Sequence, residues 1–347
     1  MFNTGKAITL VCCALIASTP SMANTKPTNL TDFDVTRLPN NPLLAVTDHV
    51  PDLAENINGP SVIQVPDWVV APLGRYYLYF SHHQGDYIRM AYADHPTGPF
   101  TVHPGGVLPL SASGFPVEPP TADQLSSGAL HTVEAGKPIP FYAHIASPDV
   151  IVVPESREIR MYYHGLESDG RQYTRVAISQ DGLHFTAQPE LLGQPYFRVF
   201  RFDNVWYALA MPGVIYRSAN GLTGFEMGPV LFNPTMRHSA LLRKNTTLHI
   251  FYTRAGDAPE AILHATIDLS QPWLAWQESS PLELLRARED WEGGDLPIKA
   301  SARGAIKKRV NQLRDPAIFQ TGGRTYLYYS IAGESGIGIA ELKFRSE

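Results

Sequence analysis

The sequence predicts an all-β fold, a five-bladed β-propeller, on three observations. A short phrase recurs five times, Gly, Asn and Asp punctuate runs rich in aromatic and β-branched residues, and helical periodicity is nearly absent. The phrase is a proline, or a histidine in its fourth copy, leading into a mostly apolar run: GPSVIQV (59–65), SPDVIVV (147–153), QPYFRVF (194–200), RHSALLR (237–243) and DPAIFQT (315–321). A second, aromatic run follows each: RYYLYFSHH, EIRMYYHGL, NVWYALAMP, TLHIFYTRA and RTYLYYSIA. A third comes next: YIRMAYAD, YTRVAISQD, GVIYRSAN, AILHATID and GIGIAEL. Such runs suit a pleated, half-buried surface, and the residues between them suit tight turns. Two stacked β-sandwich domains sharing hairpins are the competing arrangement.

In the first three copies a turn and an outer segment follow, as in DHPTGPFTV, QDGLHFTAQ and ANGLTGFEM. The last copy stops after its third strand. Residues 33–50, FDVTRLPNNPLLAVTDHV, are the candidate to supply its outer strand, which closes the ring and hides an edge. Pro148, Pro195 and His238 are each one blade apart, whereas Pro60 to Pro148 and His238 to Pro316 are nearly twice as long. The excess lies in two insertions, about 104–145 and 280–312. Both end just before an inner strand, so both belong over one face of the disc, where long loops on a rigid scaffold usually carry function.

Of the 347 residues, 44% are hydrophobic and 18% charged, ordinary globular values. Residues 1–23 differ: MFNTGK, the short apolar run AITLVCCALIA and SMA before Asn24 read as a secretory signal peptide, too short to span a bilayer. The expected mature chain, 24–347, is then one propeller domain, periplasmic or extracellular. Both cysteines, Cys12 and Cys13, fall in the leader, which excludes disulfides and thiol chemistry from the rest. A net charge of −5 argues against non-specific binding to nucleic acid or anionic lipid. No other run approaches membrane length, and no obligate protein partner is implied.

The first strand of a propeller blade lines the central channel, so residues at its start ring the mouth. Here these are Asn58 and Gly59, Ser147 and Asp149, Gln194 and Tyr196, Arg237 and His238, Arg314 and Asp315. The proline that follows several of them needs no ladder hydrogen bond at a first strand position. Carboxylates in a funnel suit glycosidic bond hydrolysis, in which one carboxyl group protonates the leaving oxygen and another activates water or attacks carbon. Asp149 and Asp315 are the candidates from the repeat. Glu292, flanked by Trp291 and two glycines in EDWEGGDLP, is the preferred proton donor, because an aromatic neighbour raises a carboxyl pKa. His238 is a second donor candidate.

For substrate binding, His82 and His83 end the second strand of the first blade, and Arg89 lies on the next. Neighbouring strand residues face opposite ways, so one histidine of the two faces the pocket. Tyr196, Arg198, Arg237, Arg314 and Glu334, with Arg303 nearby, complete the set. Guanidinium groups bind carboxylates bidentately, so an acidic sugar, uronate or sulfated, is expected in at least one subsite. No metal-ligand motif or dinucleotide fingerprint is present, and no cofactor is implied.

SPDVIVV and RDPAIF, within five blade-like repeats from about residue 55 to the C-terminus, resemble the five-bladed propeller glycoside hydrolases of families 43, 62, 32, 68 and 117, family 43 most of all. That resemblance implies an Asp base on the first blade, an Asp on the second that tunes pKa and orients substrate, and a Glu acid on the third; Asp149 matches the second. Family 117 implies a histidine acid, for which His238 stands. The set departs elsewhere: Gly59–Pro60 replaces the first-blade Asp-Pro, Gln194 stands where an acid would be sought, and the Asp-Pro appears on the last blade as Asp315. Some relatives of this fold hold an axial calcium ion, which stays open here.

The expectation is therefore an exported glycoside hydrolase acting on plant or algal oligosaccharides. Two alternatives stay open: a polysaccharide lyase or dehydratase using His or Tyr on a uronate, and a non-catalytic sugar-binding propeller.

Overall fold

Five antiparallel sheets stand around a common axis in the computed structural model, which describes Met1 and residues 31–46, 53, 55–125, 133–134, 137–138 and 141–345. Blades 1 to 4 run outward from the axis in chain order. Blade 1 comprises Asn58–Gln64, Tyr76–Ser81, Tyr87–Ala93 and Thr101–Val102. Blade 2 comprises Ile145–Val153, Glu158–Leu166, Gln172–Ser179 and Thr186–Ala187. Blade 3 is Arg198–Phe202, Val205–Ala210, Val214–Ser218 and Glu226–Val230. Blade 4 is Met236–Lys244, Thr247–Arg254, Ile262–Asp268 and Leu282–Leu285.

Blade 5 takes Arg314–Thr321, Arg324–Ser330 and Gly336–Phe344 from the C-terminal part of the chain and its outer strand, Phe33–Arg37, from the N-terminal part. That strand pairs antiparallel with the third, Phe33 opposite Phe344 through to Arg37 opposite Ala340. The closing strand thus falls where the sequence places it, although residues 47–50 of the expected segment lie outside the described residues. So does the expected leader beyond Met1. Among the described residues there is no α-helix, only short 3-10 turns, and no helix long and apolar enough to cross a membrane.

Strand alternation explains how the blades cohere. Tyr77 and Tyr79 of blade 1 pack with Ile159, Met161 and Tyr163 of blade 2, while Leu78 and Phe80, on the other face, pack with Tyr328, Ile337 and Ile339 of blade 5. Every interface between consecutive blades has its own core of this kind. A fully buried Leu78 or Phe80 contributes roughly 2 kcal/mol of transfer free energy. The tyrosines add a polar tie. Tyr79 donates to the Gly182 carbonyl at 2.9 Å and Tyr162 to that of Gly221 at 2.7 Å, each reaching a turn of the next blade.

Blade 4 differs from expectation at its edge. Leu282–Leu285, assigned from sequence to the second insertion, is the blade's outer strand, with Ile262 opposite Leu285 and His264 opposite Leu282. Its four residues carry no aromatic and follow a 3-10 turn at Trp273–Ala275, so the local strand signal is weak.

Candidate active site at the propeller mouth

Every inner strand but that of blade 3 begins with a β-bulge, and the bulge sets the frame of the mouth. Register breaks between Asn58 and Ser61, Ala146 and Asp149, Met236 and Ser239, and Arg314 and Ala317. The first bulged residue is Gly59, Ser147 or Asp315 in blades 1, 2 and 5, and each has a left-handed backbone, with φ of 59°, 51° and 47°. Tyr196 leads into the inner strand of blade 3 with φ of 66°. Non-glycine residues held this way cost about 1–3 kcal/mol each and cluster at functional sites. A Cβ on Gly59 would lie 2.8 Å from the Ser147 Cα, so blades 1 and 2 meet backbone to backbone here.

This register corrects the pairing of Asp149 with Asp315. Asp315 occupies the rung of Ser147; Asp149 lies past the proline, on the rung of Ser61 and Ala317. Its Oδ2 accepts from the Val199 amide at 2.8 Å, and Oδ1 is 4.0 Å from Arg198 Nη1. Burial raises the Asp149 pKa, with Arg198 and the Val199 amide opposing. Asp149 therefore ties blade 2 to blade 3, below the Asp315 rung. Arg198 crosses the same region, donating to the Ser239 carbonyl at 2.7 Å and the Pro148 carbonyl at 3.1 Å.

Asp315 is fully buried. Its Oδ2 accepts from Ser330 Oγ at 3.1 Å and the Gly59 amide at 3.4 Å, and its Oδ1 contacts His238 Nδ1. Burial, then Arg237 and His83, push the His238 pKa well below the ordinary histidine value. The His238 ring leans on Tyr196, centroids 4.3 Å apart, and Tyr196 on His164 at 4.0 Å. Burial raises the Tyr196 phenol to about 12.

A chain of ion pairs encloses this group. Glu334 accepts from Arg314 at 3.0 Å, from Asn56 at 2.6 Å and contacts His83 Nδ1 at 3.1 Å. Although burial opposes it, these three hold the Glu334 carboxyl well below the usual carboxylate range. Glu260 places Oε2 3.1 Å from Arg314 Nε and 3.2 Å from Arg237 Nη1. Glu260 was not among the sequence candidates. Like Glu334 it stands two residues before the third strand of its blade, and that repeat position is the signal that marks it.

Among the described residues several buried polar atoms here have no hydrogen-bond partner: Glu260 Oε1, Thr253 Oγ1, Arg198 Nη2 and both ring nitrogens of His164. Burial first, then His144 and His83, keep His164 neutral. Buried polar atoms normally find partners, so such a group is where a hydroxyl-bearing ligand or water fits.

The structure thus brings together Asp315, His238, His83, Tyr196, Arg237, Arg314 and Glu334. Other sequence candidates are committed elsewhere. Glu292 is no loop acid free to swing over the pocket: it is fully buried, and its oxygens take Arg37 Nε and Nη2, Tyr329 Oη and the Arg288 and Glu289 amides. Arg89 holds the Leu53 and Asn56 carbonyls. His82 is half-buried and accepts from the Gln84 amide, while His83 turns inward to Asn58 and Glu334. The one His/Asp/Glu/Cys group among the described residues able to hold a metal ion, Asp32, His249 and His264, belongs to blade 4 and the residue preceding the closing strand.

The fold is the five-bladed propeller also found in family-43 glycoside hydrolases. Solved structures with this fold include a thermostable family-43 glycoside hydrolase (TM-score 0.50, 14% identity, 83% of this chain and 88% of that one). Others are a GH43 β-xylosidase/α-arabinofuranosidase from a compost microbial metagenome in complex with xylotriose (0.51, 13%, 83% and 91%) and a GH43 enzyme of Xanthomonas citri complexed with xylose (0.52, 12%, 83% and 87%). At such identities the likeness is one of fold. No family model matches the chain. Over 336 residues it is 32% identical to uncharacterized protein R118 of Acanthamoeba polyphaga mimivirus, covering 89% of this chain and 90% of that one, and it belongs to the same family as that protein.

Proposed function

We propose that the chain is a glycoside hydrolase acting on oligosaccharides, with its reaction centre at the propeller mouth. The observation that carries this reading is the His238–Asp315 pair next in the chain to Arg237 and Arg314, the two arginines that hold Glu260, whose Oε1 is buried and, among the described residues, unpartnered. In this reading His238, backed by Asp315, delivers a proton to the leaving oxygen, and Glu260 Oε1 activates the attacking water. Glu334, held ionised by Arg314, Asn56 and His83, supplies fixed negative charge opposite developing positive charge on the sugar. Thr253 and His164 receive hydroxyls.

Arg237 and Arg314 are matched by Glu260 and Glu334, so the acidic sugar is proposed for the rim alone. There Arg303, exposed, has the Met211 sulfur and Pro234 carbonyl as partners and lies near Tyr196 and Arg237. The leader read in residues 1–23 supports export to the periplasm or beyond.

Because the His238 pKa is depressed, the pair gains its mobile proton only in acid. The hydrolase reading therefore expects turnover that falls as pH rises toward neutrality. A second reading follows from the same histidine: neutral His238 held by Asp315 is equipped to abstract a proton, as a uronate lyase requires. The test is a screen of neutral and uronic oligosaccharides across pH, read for reducing ends and for ultraviolet absorbance of unsaturated uronate. New reducing ends without unsaturation, lost in Glu260→Gln and His238→Ala, support hydrolysis. Unsaturated product rising with pH replaces it with the lyase, and binding without turnover replaces both with a sugar-binding propeller.

A further inference from the structure

Blade 4 carries a second cluster that the reaction does not use. His249 lies on its second strand and His264 on its third, diagonal across the ladder, and their rings stack with centroids 5.2 Å apart. Both are buried, and Phe33 stands edge-on against each, at 5.3 and 5.2 Å. His249 Nδ1 lies 3.0 Å from His264 Nε2, and Asp32 Oδ2 lies 3.7 Å from the same Nδ1. All three donor atoms are within 4.8 Å of one another.

We propose that Asp32, His249 and His264 bind one divalent transition-metal ion of the zinc type, which staples the closing strand to blade 4. Tetrahedral coordination at 2.0–2.1 Å sets neighbouring donors about 3.3 Å apart, between the two separations observed. Two imidazole nitrogens and one carboxylate suit zinc, cobalt or nickel, whereas calcium and magnesium prefer all-oxygen sets. Asp32 is exposed, which leaves the fourth position to water. Asp32 directly precedes the Phe33–Arg37 strand, so an ion here joins the N-terminal strand to a neighbouring blade. Cys12 and Cys13 are the chain's two cysteines, so no disulfide can serve between these elements.

The test uses tag-free full chain, stripped with chelator and titrated with Zn2+ by calorimetry and with Co2+ by visible absorption. One equivalent of Zn2+, the intense absorption of tetrahedral Co2+ and a raised unfolding temperature in excess Zn2+ are expected. Asp32→Ala, at an exposed position, and His264→Gln should each weaken binding by about tenfold or more. Binding that neither substitution changes, or no saturable binding at micromolar Zn2+, overturns the proposal. In that case the 3.0 Å contact is an imidazole–imidazole hydrogen bond. Neither outcome bears on the glycosidase reading, whose residues lie at the mouth.

Discussion

Replacing Glu292 by Gln separates a clamp from a catalyst. Glu292 takes Arg37 Nε and Nη2, at 2.8 and 2.7 Å, with Tyr329 at 2.8 Å and two backbone amides, and it caps its own 3-10 turn. The amide keeps one carbonyl acceptor but turns a donor toward Arg37 or Tyr329. Removing one member of a buried ion pair costs about 3–5 kcal/mol. The Arg37 side chain is 19% exposed and regains some water, which places the loss at the low end, about 3 kcal/mol. Urea unfolding of the wild type, Glu292→Gln, Arg37→Met and the double variant measures it, with a coupling of about 2 kcal/mol expected from the cycle. Hydrogen exchange should show the Phe33–Arg37 amides losing protection first. A loss below about 1 kcal/mol, with Phe33–Arg37 protection intact, refutes the clamp.

Two carboxylates should give opposite pH signatures. Glu334 has a depressed folded pKa, so its stabilisation is present above the ordinary Glu value and lost as pH falls. Glu334→Gln should cost roughly 3 kcal/mol at pH 7, a cost that begins to shrink only below about pH 4 and is lost progressively on further acidification, read from urea midpoints across pH. Asp149 has a raised folded pKa, so its ionisation opposes folding once pH exceeds the ordinary Asp value. Asp149→Asn should therefore match or exceed wild-type stability at pH 7, with any advantage gone below about pH 4. Gly59→Ala, which meets both a φ of 59° and the Ser147 Cα, should lower stability by about 1–3 kcal/mol in the same assay. Deleting residues up to Arg37 exposes the Ala340–Phe344 edge and should yield a chain that associates, visible by light scattering.

The propeller was legible because each blade repeats one physical problem. An inner strand enters past a bulge, an aromatic second strand fills two interfaces, and a third must turn back within a few residues. Those demands leave Tyr79, Tyr162 and Tyr328 at one repeat position. The mouth was less legible. Asp149 and Asp315 flank prolines on opposite sides, and with a bulge in the ladder that difference moves a carboxylate off the rung and into the neighbouring blade. Glu292 sits in a charged, glycine-flanked loop that reads as mobile, and its partner Arg37 is far away in sequence. No local pattern announces such a pairing. Glu260 had a signal, the position it shares with Glu334, but the motif around it, DAPEAIL, has little in common with GESGIGI beyond spacing.

Blade 5 draws its outermost strand from the beginning of the chain and its other three from the end. During synthesis, Phe33–Arg37 emerges some 300 residues ahead of its partner Gly336–Phe344, a wait of roughly 15–60 s at ordinary elongation rates. Blades 1 to 4 are complete in the nascent polypeptide before the circle can shut. Joining these two strands therefore waits until all five blades have been made, and until it occurs the newborn molecule presents an open seam to chaperones and to its own neighbours.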